Sequence, residues 1–140
     1  MAQKRETDPK KMHWRDRHEY EAKREAEALE PLGERQLVGR IRAERLDPYF
    51  AIWRAIGRKG TARGAARELW AFLRDHPGEA WMLHRYHAAT ALFHILGMDD
   101  PASEHELRKR VQWDREGEGA RQEALLELES RIETGLHVRD

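Results

Sequence analysis

Two stretches of this sequence carry side chains that could act together chemically. The first holds Arg54, Arg58, Lys59, Arg63 and Arg67, five cations with no acid among them, around the run Gly57-Arg58-Lys59-Gly60-Thr61. The glycines mark a short turn between two helices. Free N–H groups at the start of the second helix, flanked by cations, make a seat for phosphate. Arg54, Arg58 and Lys59 fall at a helix C-terminus, where positive charge is favoured by about 0.3–1 kcal/mol without any ligand. Arg63 and Arg67 fall at the start of the next helix, where cations are disfavoured. That mismatch invites an anion: phosphate, nucleic acid or an acidic protein. The anion-binding set is therefore Arg54, Arg58, Lys59, Gly60, Thr61, Arg63 and Arg67.

The second stretch is helical in period and rich in histidine. At helical spacing His84, His87, Thr90 and His94 share one face, opposite Trp81, Met82, Ala88, Leu92, Phe93 and Leu96. Leu83 among the histidines and Arg85 among the apolar residues break the pattern. His84 and His87 could share a divalent metal, whereas His94 lies roughly 10 Å beyond His87 along the axis. A closed shell needs ligands from elsewhere, and Asp99, Asp100 and His105 are nearest in sequence. The alternatives are structural histidines at a helix boundary and a pH-sensing face.

Around the first stretch, Gly57-Arg58-Lys59-Gly60 resembles the nucleic-acid clamp of KH domains, over Ile56 to Gly60 only. The strands that flank that clamp have no counterpart here, so its fold is not expected. The residue types also overlap with a phosphate-binding loop, in the wrong order and with no preceding strand. Catalysis has little support. With no cysteine, thiol chemistry and Cys-ligated metals are excluded. Ser103 with Glu106 reads as a capping box, and nothing selects a carboxylate pair from the 26 acids.

The elements that must position these groups are helices. Asp-Pro occurs at Asp8-Pro9, Asp47-Pro48 and Asp100-Pro101, each pairing a capping carboxylate with a proline suited to a first helical turn. Glycines and prolines at 31–33, 57–60, 77–78, 97, 117, 119 and 135 mark ends. These marks divide the chain into about seven helices. They span Pro9 to Leu29, Glu34 to Arg45, Pro48 to Ile56, from just after the cap Thr61 to His76, Glu79 to Leu96, Ala102 to Arg115 and Ala120 to Thr134. Apolar stripes run through Ile52, Trp53 and Ile56, through Ala62, Ala65, Ala66, Leu69, Phe72 and Leu73, and through Ala124, Leu125, Leu128 and Ile132. No segment alternates with period two. The expected fold is all-α: a compact bundle of about six helices over residues 32–140, preceded by a highly charged helical arm over 1–31.

That arm carries eight basic and eight acidic side chains in residues 1–30 but few large apolar ones. It reads either as a solvated arm or as a helix docking on a partner through Trp14 and Tyr20. Charged residues make up 37% of the chain against about 25% in an ordinary domain, so charge must lie on exposed faces or a partner surface. The net charge is zero. It hides a polarity: residues 34–67 hold nine basic and three acidic residues, residues 68–140 nine and fifteen. The N-terminal residues lack an apolar segment, and no run is long and apolar enough for a membrane span. A cytoplasmic location is expected. The leading functional expectation is a non-enzymatic binding or adaptor protein acting through its charge-polarised surface, on a protein partner or on itself, with no cofactor. The alternatives are nucleic-acid binding by the hairpin at 54–67, and a metal-binding protein or enzyme built on His84 and His87.

Overall fold

A computed structural model describes residues 13–98, 105, 107–110 and 117–139. Every regular element among them is helical, as the glycine and proline punctuation predicts. The order is α1 (Trp14–Leu29), α2 (Glu34–Arg42), α3 (Ala51–Lys59), α4 (Ala65–Asp75), a 3-10 turn (Glu79–Trp81), α5 (Met82–Ile95) and α6 (Gly117–Arg139). Residues 107–110 are also helical, and Leu107 is buried. The caps expected at Asp8, Asp100 and Ser103 lie outside the described residues.

Helix α5 packs against both α3 and α4, α2 against the same two helices, and α6 against α4. The predicted stripes form the core: Ile52, Trp53 and Ile56 from α3, Leu69, Phe72 and Leu73 from α4, Leu92 and Phe93 from α5, and Ala124, Leu125, Leu128 and Ile132 from α6 are all buried. Gly57 faces α5, where an added Cβ would make ordinary van der Waals contact with Ala91 at 3.4 Å. The indole of Trp70 donates to the Leu125 carbonyl at 2.7 Å and ties α4 to α6. No helix among the described residues is long and apolar enough to cross a membrane.

Several element boundaries differ from the sequence reading. α2 ends at Arg42 rather than Arg45, α3 runs on through Gly57 to Lys59, α5 starts at Met82 after the 3-10 turn and α6 starts at Gly117. Three further ends differ for local reasons. Asp47 does cap α3, but its carboxylate accepts from the N–H groups of Ala51 and Ile52, both at 2.9 Å, as well as Tyr49 at 3.1 Å. Pro48 to Phe50 form a turn, Phe50 adopts a left-handed φ of 61°, and the helix starts at Ala51 rather than Pro48. Thr61 accepts from the N–H of Gly64 at 3.1 Å, making a turn before α4, which begins at Ala65. Helix α6 runs through Gly135 to Arg139. One glycine costs a helix about 1 kcal/mol and does not by itself end it.

From His18 onward the charged N-terminal helix joins the body. α1 packs on α3, Leu29 is buried, Glu21 accepts from the Tyr49 hydroxyl, and the His18 ring meets Tyr49 edge-on at 4.8 Å.

Candidate functional site

The start of α4, where the sequence reading seats an external anion, already holds one from within the chain. Glu34, at the first position of α2, extends its carboxylate to the N–H groups of Thr61 and Ala65 and to the Thr61 hydroxyl. A carboxylate at a helix N-terminus satisfies free donors and offsets the helix dipole. The chain passes so close that a Cβ on Gly64 would stand 2.7 Å from the Glu34 carboxylate. A phosphate entering this seat has to displace Glu34.

The cations around it have internal partners as well. Arg58 pairs with Glu30 at 3.4 Å, and Lys59 donates to the backbone carbonyls of Glu30 and Leu32. Lys59 thereby closes the C-terminal end of α1, which has no basic residue in its last turn. Arg67 pairs with Glu133 of α6, and Arg42 with Glu68 at 3.0 Å. Arg54 and Arg63 are exposed. Gly60 serves packing: a Cβ there would meet the Ile56 carbonyl oxygen at 2.6 Å, Ala65 Cβ at 2.7 Å and Ile95 Cδ1 at 2.8 Å. Its φ of −77° is open to any residue, so the glycine is required by space.

The histidine face is built differently. His84 and His87 come together around the ring of Phe50, which meets His84 edge-on at 4.9 Å and stacks on His87 at 4.4 Å. The left-handed turn at Phe50 points that ring at α5. His84 Nδ1 accepts from the indole N–H of the fully buried Trp53 at 3.0 Å. Burial holds both histidines below their ordinary pKa; the Arg54 guanidinium adds to this at His87, while Asp47 opposes it at both. Among the described residues no three His, Asp or Glu side chains converge as a metal shell. His105 is exposed, and Asp99 and Asp100 lie outside the described residues. The geometry thus joins the pair through an aromatic ring.

Trp14 and Tyr20 are not brought onto one face: six positions apart, they stand about 120° apart around the helix axis. Trp14 is 66% exposed, with the Arg15 guanidinium 5.3 Å from its ring centre. Tyr20 is half-buried, with Arg24 5.9 Å from its ring.

Four residues outside the expected set matter as much. Arg85 is fully buried in α5 and donates to the carbonyls of His76 and Gly78 at 2.8 and 2.6 Å. Arg121 of α6, also buried, donates to the carbonyls of Leu73 and Arg74 in the last turn of α4. His76 places Nδ1 3.1 Å from the Phe72 carbonyl and Nε2 3.0 Å from Glu44, whose backbone is left-handed at φ 56°. Arg85 gave a signal in the sequence, as the cation out of place on an apolar face. Arg121, His76 and Glu44 gave none, because their partners are set by packing.

No protein-family model, curated protein or solved structure matches this chain.

Proposed function

We propose that this chain is a non-enzymatic helical binding or adaptor protein that meets a protein partner through the exposed N-terminal half of α1. One observation carries the reading, the asymmetry of that helix. Every residue from Trp14 to Glu19 is exposed, whereas Leu29 at the other end is buried. Tryptophan offers a large apolar area at small conformational cost and is enriched among the anchors of protein interfaces. Arg15, Asp16, Arg17 and Glu19 around it supply a mixed polar rim. The charge polarity of the chain supports the reading less, since Arg42, Arg58 and Arg67 pair internally.

The test is photo-crosslinking from position 14. A photoreactive phenylalanine analogue replaces Trp14 in the full chain, inside the cells that make it, with the same analogue at Glu19 as control. The expected result is a discrete crosslinked species from position 14 and none from position 19. Its mass separates a second copy of the chain from a different protein. No product, or equal products from both positions, overturns the proposal. The rival reading, nucleic-acid binding through the hairpin, requires displacement of Glu34 and loss of the Glu30 and Glu133 pairs. Binding to nucleic acid that falls steeply with salt would favour it.

A further inference from the structure

The seam between α3 and α5 is closed by a hydrogen bond that tolerates only one protonation state. The indole N–H of Trp53 is a donor with no acceptor function. His84 Nδ1, 3.0 Å away, must therefore present its lone pair. The bond requires the neutral ring with its proton on Nε2. A proton added to Nδ1 sets two donors against each other, and Trp53, 1% exposed, has no water to turn to. A buried donor left unpaired is destabilising. His84 itself is half-buried, so protons reach it.

We propose that Trp53 and His84 form a proton-sensitive latch between α3 and α5, closed when His84 is neutral and released when it takes up a proton. The surroundings of the ring come from every element that packs there. Phe50 and Trp81 flank it with their edges and faces, at 4.9 and 5.9 Å. Asp47, in the connection before α3, is the acidic group facing it and favours the proton. His76, beyond the end of α4, opposes it, and on α5 itself His87 lies one turn away, with Arg54 of α3 facing it. Burial outweighs Asp47, so the folded protein binds this proton less readily than the unfolded chain does. Between the folded pKa and the unfolded value of about 6.5, the unfolded state then carries more protons, and stability rises with pH. The stability that the neutral ring contributes is fully present above about pH 6.5 and declines below it, while the latch itself opens only as the pH falls through the lower pKa of the folded state.

The experiment follows the indole N–H resonances of the full, isotopically labelled chain between pH 8 and pH 5, with Trp53 assigned by through-bond methods. The expected result is that the Trp53 resonance moves in step with the ring-carbon resonances of His84 while the other indoles do not. In His84→Gln the side-chain amide oxygen accepts from the indole without titrating, so the Trp53 resonance stays constant over the same range. A Trp53 resonance that stays fixed while His84 titrates in the folded protein overturns the proposal. So does one that moves equally in His84→Gln, since His87, intact in that variant, is then the responsible group. If His84→Gln does not fold, co-titration of the two residues in the unaltered chain decides alone.

Discussion

The two ends of α4 solve the same electrostatic problem with opposite exposure. At the N-terminus a carboxylate from α2, Glu34, caps the free N–H groups, amid cations whose ion pairs lie in solvent. At the C-terminus two buried guanidiniums, Arg85 from α5 and Arg121 from α6, take the carbonyls of Leu73, Arg74, His76 and Gly78. Both ends match the helix dipole, anion at the positive end and cation at the negative one. The N-terminal cluster is conspicuous in the sequence because its cations are crowded together. The C-terminal pair does not show as a cluster, because its two arginines stand 36 positions apart and only Arg85 is out of place in its own helix, yet it lies where hydrogen bonds to charge are strongest. Crowding of charge in a sequence is thus a poor guide to where charge holds a fold together.

If that contrast is right, Arg85→Met is the most damaging single change at either end. It keeps much of the apolar volume but leaves two carbonyls without their charged donor. We expect a loss of about 2–4 kcal/mol in urea unfolding, the range for charged hydrogen bonds lost from an interior. A loss below about 1 kcal/mol, the level of a surface pair, would erase the difference between the two ends.

Gly60→Ala comes next, at about 1–3 kcal/mol, the usual penalty for overpacking. Its Cβ has no room between Ile56, Ala65 and Ile95. Gly39→Ala is the matched control: it lies inside α2 with nothing within 4 Å of the added carbon, and it should gain about 0.5–1 kcal/mol from helix propensity. Thermal melts of the two variants should therefore move in opposite directions. A Gly60→Ala melt that rises together with that of Gly39→Ala would show that the glycine at 60 is tolerant.

Much of the fold is legible in the sequence, because caps and stripes are local. Asp47 is recognisable as a cap, and the buried faces of α3, α4 and α6 follow from helical spacing. What escapes is set by single backbone torsions or by distant partners. The left-handed φ at Phe50 moves the start of α3 and also delivers the ring that joins His84 to His87. Glu34 is read in the sequence only as one acid in a basic stretch, because the donors it caps lie 27 and 31 residues away. The Arg63/Arg67 mismatch points to an external anion at the start of α4; the Glu34 carboxylate that lies there is brought by tertiary packing, which the sequence does not display. For the histidine helix, period alone places His84 on the right face. It cannot foresee that an indole N–H donates to its Nδ1.

Glu34→Gln tests the N-terminal end itself. The amide keeps one acceptor but loses the charge, and a loss of about 1 kcal/mol is expected, typical of a helix cap. The same variant bears on the anion reading. With Glu34 neutral, added inorganic phosphate should raise the melting temperature only if the start of α4 binds anions in its own right. The unaltered chain should then respond less to phosphate than the variant. Equal responses in both would place any phosphate effect elsewhere on the molecule.

The smallest effect is expected where the sequence cluster is most visible. Arg67 and Glu133 join α4 to α6 across a surface on which both side chains are about half exposed. Water screens such a pair, and ordering two long side chains offsets much of the attraction, so coupling should be below about 1 kcal/mol. A double-mutant cycle with Arg67→Gln and Glu133→Gln isolates that coupling from whatever each residue does alone. The coupling should shrink further when the salt concentration rises, because exposed charges are screened within a few ångströms at high ionic strength. Arg121, buried between the same two helices, provides the internal reference, since its bonds to the α4 carbonyls should respond far less to salt. If the Arg67 pair instead couples by more than about 2 kcal/mol and resists salt, its site is drier than its exposure implies. The basic hairpin would then rank with the buried arginines as a structural element of α4, and the cations that first suggest a ligand would be there to hold α6.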